Sequence, residues 1–246
     1  WHRKSNFTTA TKNINEYIAI TGGETLQEIF LRISDKINLA PICAKVNNRT
    51  EDLAFPVYSP KQIEFIDSTS ASGNRVYTRS LCMILYKAVE DVAKGLHLRI
   101  EHSISKGHYC RLINPNNGIA ENVTDELVSE IKCRMNEIVN ADIPFVRKEK
   151  LTTDVIEIFK RQNLNDKVQL LETGHNLYTV YYQLDNLCDC YYGPLAPSTA
   201  CIKAFDLQQY KEGFLLLGHS NGNPMVAQSP IKQEKMYGAF TDYLSF

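Results

Sequence analysis

The stretch Asp189-Cys190-Tyr191-Tyr192-Gly193-Pro194-Leu195, followed by Ser198-Thr199 and Ile202-Lys203-Ala204-Phe205, decides how this chain is read. Alternating segments at 179–184 and 202–205 flank it and are expected to be strands. Cys188 and Cys190 stand two residues apart, which in a strand aims both side chains at one face, and Cys201 follows nearby. No second Cys or His pair completes a recognisable ligand pattern, and free buried cysteine is the commoner state. The residues around this stretch therefore predict no metal.

The rest of the composition sets wide bounds. At 246 residues the chain can form one large domain or two modest ones, each with its own core. Hydrophobic residues at 43% and charged residues at 22% describe an ordinary globular protein. The 27 basic and 28 acidic residues leave a net charge of −1, so nothing global draws the chain to a phosphate backbone. Seven cysteines without a C-x-x-C pair suit reduced thiols and a cytoplasmic location. No run approaches the ~18 apolar residues of a membrane span, and Trp1-His2-Arg3-Lys4 opens no signal peptide. Without an initiator Met, and ending on Tyr243-Leu244-Ser245-Phe246, the sequence reads as a fragment.

Outward from the opening stretch, the pattern is strand and helix in alternation. Residues 1–13, with Thr8, Thr9, Thr11 and Asn13, read as a polar leader, and Tyr17-Ile18-Ala19-Ile20 as a short strand running into Gly22-Gly23. Thr25-Leu26-Gln27-Glu28 is a capping box, and Leu26, Ile29, Phe30, Ile33 and Ile37 follow at helical spacing. Residues 43–49 read as a strand entering a turn, 53–57 as a crossing segment and 62–66 as an alternating edge strand. Together they predict a small β-grasp domain over 14–68. The polar run 68–74 is the best boundary. A helix then carries Leu81, Ile84, Leu85, Ala88, Val89 and Val92 on one face and ends at Gly95. Residues 98–104 and 109–113 read as a hairpin closed by 105–108. A helix over 124–139 buries Leu127, Val128, Ile131, Met135 and Ile138, an extended segment covers 143–149, and a helix from about 152 buries Val155, Ile156 and Phe159. Further strands are expected at 167–171 and 214–217.

Two segments carry a family resemblance. Gly23-Glu24-Thr25-Leu26-Gln27-Glu28-Ile29 and Ala44-Lys45-Val46-Asn47-Asn48-Arg49 resemble the TGS domain, a ubiquitin-like module. From 69 to about 225 the order of elements resembles the second amino-terminal domain of threonyl-tRNA synthetases and freestanding editing proteins. In that family a stretch comparable to 191–195 reads Cys-Arg-Gly-Pro-His, and an upstream helix carries a His-x-x-x-His pair. The resemblance puts these four ligand positions on Tyr191, Leu195, Arg79 and Met83. Such side chains cannot rebuild a zinc-type site, which needs thiolate, imidazole or carboxylate donors. The implication is a fold kept after its ancestral chemistry was lost.

The same arrangement resembles the region ahead of the kinase domain in a bacterial family similar to uridine or nucleoside kinases. Arg79-Ser80-Leu81 in place of the His pair, the segment His102 to Cys110, and Tyr192-Gly193-Pro194-Leu195 carry that likeness, with 233–240 resembling the lead-in to the kinase. Phosphoryl transfer there needs G-x-x-x-x-G-K-[ST], and no segment fits. Gly218-His219-Ser220-Asn221-Gly222 lacks the following Lys and reads as a turn. ATP and Mg would thus belong only to a kinase domain absent from this chain.

Candidate site residues fall in two groups. His102, Ser103, Lys106 and His108 gather at the hairpin tip, where they form either an anion or proton-transfer cluster, or a buried hydrogen-bonded histidine beside a turn. Either Arg79, Tyr191 and Tyr192 form a recognition surface for a base and an anionic group, or Tyr191 and Met83 fill a vacated metal site while Arg79 pairs with a nearby acid. The basic run Arg147-Lys148-Glu149-Lys150 and the pair Lys160-Arg161 are interleaved with acids and read as solvated surface or as RNA contacts.

The expectation is an α+β chain: a leader over 1–13, a TGS-like β-grasp domain over 14–68, a threonyl-tRNA synthetase editing-like domain of helices on a mostly antiparallel sheet over 69–225, and a connector over 226–246. The resemblance implies a non-catalytic ligand-binding or regulatory region of a nucleoside kinase-like protein, with the downstream kinase domain as partner and a nucleotide or RNA as ligand. The alternatives are a hydrolase that deacylates mischarged tRNA through His102, His108 or the cysteines, and a purely structural oligomerisation module.

Overall fold

Thr9 and Thr11 are almost wholly buried, because the segment expected to be a leader is the strand β1 (Asn6–Thr11). Threonine is β-branched and favours the extended backbone even where its hydroxyl suggests a loop. The computed structural model describes residues 6–104, 106–220 and 223–229. These divide into two compact units, Trp1–Ser80 with Asp142–Cys201, and Leu81–Ala141 with Ile202–Phe246. The lead-in expected at 233–240, and the connector from 230 onward, lie outside the described residues.

In the first unit, β1 pairs antiparallel with β2 (Glu16–Thr21). β3 (Glu24–Thr25) leads into helix α1 (Leu26–Leu31), and β4 (Cys43–Val46) and β5 (Arg49–Glu51) form a hairpin through Asn47 and Asn48, both at positive φ. β6 (Pro56–Val57) pairs β3, and β7 (Gln62–Ile66) completes the sheet. The order is β2-β1-β7-β4-β5, with β1 parallel to β7 and the other pairs antiparallel, which is the β-grasp topology. β7, expected at an edge, lies in the middle. The side chain of Asn13 extends the ladder, donating to the Phe65 carbonyl at 2.9 Å and accepting from the Phe65 amide at 2.7 Å.

The capping box forms as expected: Glu28 N–H donates to Thr25 Oγ1 at 3.2 Å and Thr25 N–H to the Glu28 carboxylate at 2.8 Å. The helix is shorter than its apolar spacing suggested, but Ile33 and Ile37 still reach the core with Leu26, Ile29, Phe30 and Phe65. Thr25→Ala is expected to cost about 1 kcal/mol. Urea denaturation measures this, and an unchanged midpoint would mean that packing alone holds the helix.

Helix α2 (Ala71–Val92) starts inside the run read as a linker and continues across the division between the units. In the second unit, β8 (His97–Ile104) and β9 (Gly107–Ile113) form the expected hairpin, and β10 (Ala120–Glu121) adds to β9. The register shifts between Ile100 and Ser103, so regular alternation along β8 is interrupted at His102. Helix α3 (Asp125–Asn140) is capped by Thr124 and buries Val128, Ile131, Met135 and Ile138. Lys87 and Arg134 both bind Asp91, at 2.5 and 2.9 Å, and so tie α2 to α3.

The chain then returns to the first unit. β11 (Val146–Leu151) is followed by helix α4 (Thr152–Arg161) and helix α5 (Asn165–Thr173), and then by β12 (Tyr178–Leu184) and β13 (Leu187–Asp189) in the order β11-β12-β13. The strand expected at 167–171 is helix α5. Leu164, Val168 and Leu171 recur every three or four residues and pack with Val155, Phe159 and Tyr181, a helical period rather than an alternating one. Within this unit the Tyr182 hydroxyl donates to buried Asp52 at 2.9 Å, and Arg147 lies 3.6 Å from the same carboxylate.

The last segment belongs to the second unit. Residues 202–205, expected to be a strand, are irregular, and the strand is β14 (Asp206–Tyr210). β15 (Gly213–Leu217) joins it to β9, giving β10-β9-β15-β14 with β8 on β9. β16 (His219–Ser220) and β17 (Asn223–Ala227) pair antiparallel across the turn expected at 218–222, of which 221–222 lie outside the described residues. The architecture is a mixed α+β arrangement of several small sheets.

Candidate functional site

α2 presents Arg79 and Ser80 to the loop after β13. Ser80 Oγ donates to the Val76 carbonyl of its own helix at 2.8 Å and accepts from the Ala196 amide at 2.8 Å, in a wholly buried position. Arg79 Nε donates to the Pro194 carbonyl at 3.1 Å. Two consecutive helix residues thus hold 194–196 by its backbone. Gly193 has φ +129, and a Cβ there would stand 3.0 Å from Nη2 and 3.1 Å from Cζ of Arg79. Only glycine suits that conformation without strain, and only its missing side chain lets the guanidinium lie flat against the loop. Burial pulls the Arg79 pKa below its ordinary value.

At the start of the loop, α5 supplies Lys167. Its ammonium lies 3.1 Å from the Asp189 carboxylate, donates to the Cys190 carbonyl at 3.2 Å and sits 5.5 Å from the centre of the Tyr191 ring. Burial disfavours the charged lysine most, but Asp189, Cys190 and Tyr192 together outweigh burial and raise the Lys167 pKa. Asp189 is 3% exposed and accepts from the Cys190 amide at 2.7 Å. Neither Lys167 nor Asp189 stood out in the sequence, because a strand at 167–171 gave Lys167 no reason to face the loop. Tyr192 is 89% exposed, while Tyr191 is half-buried.

Met83 and Leu195 are fully buried. Of the cysteines near the loop, Cys188 is buried in the α4–α5 core, and burial pushes the Cys190 thiol pKa up. Among the described residues no three His, Cys, Asp or Glu side chains gather in a group that could hold a metal ion.

The hairpin residues form a separate group in the second unit. The His102 ring lies 5.7 Å from that of Tyr109, and its Nδ1 is 4.0 Å from Glu101, which also binds Arg111 at 3.1 Å. His108 stands opposite Ser103, and burial lowers its pKa. Lys106 is exposed at φ +63 in the turn between β8 and β9. Each group of candidates is thus assembled within one unit: Arg79 with the 191–195 loop in the first, His102, Ser103, Lys106 and His108 in the second.

No protein-family model matches this sequence. The chain is similar to threonine–tRNA ligases. It is 27% identical over 196 residues to that of Desulforamulus reducens, covering 79% of this chain and 30% of the ligase. With the ligase of Rubrobacter xylanophilus it shares 28% over 211 residues, 86% of this chain and 32% of the ligase. With that of Pelodictyon phaeoclathratiforme it shares 29% over 195 residues, 78% and 29% respectively. The chain spans under a third of the length of these relatives, and the similarity is a distant one to their N-terminal region. The α+β fold agrees with the TGS and editing-domain region that the resemblance implied. No helix among the described residues is long and apolar enough to cross a membrane.

Proposed function

We propose that this chain is the non-catalytic, ligand-binding or regulatory amino-terminal region of a larger cytoplasmic protein resembling a nucleoside kinase. One observation carries the reading: the four positions that the resemblance assigns to metal ligands hold Arg79, Met83, Tyr191 and Leu195. Met83 and Leu195 are fully buried, and Arg79 is turned to holding the loop through Pro194. Water-activating hydrolysis needs a Lewis acid or a positioned base, and these side chains supply neither. What remains is a loop held by Lys167 at Asp189 and Cys190 and by Arg79 at Pro194, with the exposed Tyr192 between them in sequence, which suits recognition.

A deacylation assay on mischarged threonine tRNA, with and without added zinc, tests this. Release at the spontaneous rate is expected. Metal-dependent acceleration of a hundredfold or more would replace this reading by an editing hydrolase. The kinase association has its own test, transfer of phosphate from ATP to uridine by the full-length gene product. Absence of transfer would remove the kinase and leave the recognition reading standing.

A further inference from the structure

Arg75 and Arg79 stand four residues apart on α2, so their side chains leave the helix on the same face and repel one another. Arg75 donates to Ser72 Oγ at 3.1 Å and Arg79 Nε to Pro194 at 3.1 Å, and neither forms an ion pair with a carboxylate among the described residues. Holding the loop takes only Nε, which a neutral donor would serve as well. The charged fork beyond it lies against Gly193, where the loop carries no side chain. A half-buried guanidinium without a counter-ion costs free energy, and a second cation one turn away adds to that cost. An incoming anion relieves both. The guanidinium fork offers parallel N–H donors matched to two oxygens of one phosphate or carboxylate group.

We propose that Arg79, Arg75 and Gly193 form a receptor for a single oxyanion group, a phosphate monoester or a carboxylate, on a small ligand whose remainder lies along Tyr192. The terminal nitrogens of Arg79 take the oxygens, Arg75 adds charge, and the bare backbone of Gly193 lets the Arg79 fork lie against the loop. This rests on the recognition reading above and names its ligand class.

Calorimetric titration of this chain at low ionic strength with inorganic phosphate, adenosine monophosphate and serine tests it. Saturable binding of at least one is expected, weakening with added salt as a charge-assisted contact should. Adenosine monophosphate binding more tightly than inorganic phosphate identifies a nucleotide source, and binding of serine alone identifies a carboxylate. Arg79→Gln is expected to weaken binding about tenfold or more. Arg75→Gln, which leaves the Pro194 contact in place, is expected to weaken it severalfold, and so decides the matter should Arg79→Gln fail to fold. No binding by any of the three, or wild-type affinity in Arg75→Gln together with wild-type affinity in a folded Arg79→Gln, overturns the proposal. Failure here alongside spontaneous-rate deacylation would remove the oxyanion site and leave the non-catalytic reading intact.

Discussion

Gly73→Ala is expected to destabilise the chain by at least about 3 kcal/mol, the upper range for a forced backbone clash. Gly73 lies in the first turn of α2, and in an exposed helix the same change would stabilise by about 1 kcal/mol, because alanine is the better helix former. The sign therefore separates two accounts. A Cβ at Gly73 would stand 1.7 Å from the Asp67 carbonyl oxygen, 2.7 Å from its carbon and 3.2 Å from Ser68 Cα. All three are backbone atoms, so no rotamer change relieves the overlap. Nor is that backbone loose. Asp67 Oδ1 accepts from the Thr69 amide at 3.0 Å and its hydroxyl at 2.6 Å, the Gly73 amide donates to Ser70 Oγ at 3.0 Å, and Asp67 follows directly on central strand β7. Urea denaturation of the variant is the measurement. A midpoint equal to or above that of the wild type would show that the turn from β7 into α2 can open without cost.

That glycine also shows where the sequence was legible. Ser68 to Asn74 reads as a linker by composition, yet its small residues are there because two backbones pass within contact distance, and composition cannot distinguish the two. The β-grasp region was readable because local signals agreed: the Thr25 and Glu28 box, the apolar spacing after it, and the Asn47-Asn48 turn. Its first strand was missed because Thr8, Thr9 and Thr11 were counted as polar, whereas in β1 two of them are core positions. Helix α5 was missed because nine residues offer barely two periods, and the alternation of Lys167, Gln169 and Leu171 competes with the helical spacing of Leu164, Val168 and Leu171. The site followed the same rule. Tyr191 and Tyr192 were found through the motif that contains them and Arg79 through the family resemblance, but Ser80 and Lys167 act on that loop from elements distant in sequence. Only the fold brings Ser80 to Ala196 and Lys167 to Asp189.

Lys167→Met is expected to cost about 3 kcal/mol, near the lower end for breaking a buried ion pair because Lys167 itself is partly exposed. The loss comes less from the missing attraction than from what stays behind. Asp189 is 3% exposed, and without Lys167 its carboxylate keeps the Cys190 amide as a donor but no cation, in a place water scarcely reaches. Asp189→Asn in the same chain removes that charge while keeping the shape. The double variant should therefore regain a large part of the stability lost by Lys167→Met, a coupling measurable by a double-mutant cycle in urea. Additive losses would mean that the lysine acts through its stem and its bond to the Cys190 carbonyl rather than through the pair. The same variants bear on recognition, since Lys167 also lies against the Tyr191 ring and so fixes the start of the loop whose end Arg79 holds. If the loop must be held at both ends to present Gly193, Lys167→Met weakens oxyanion binding without touching the ligand, and Asp189→Asn restores stability but not that affinity.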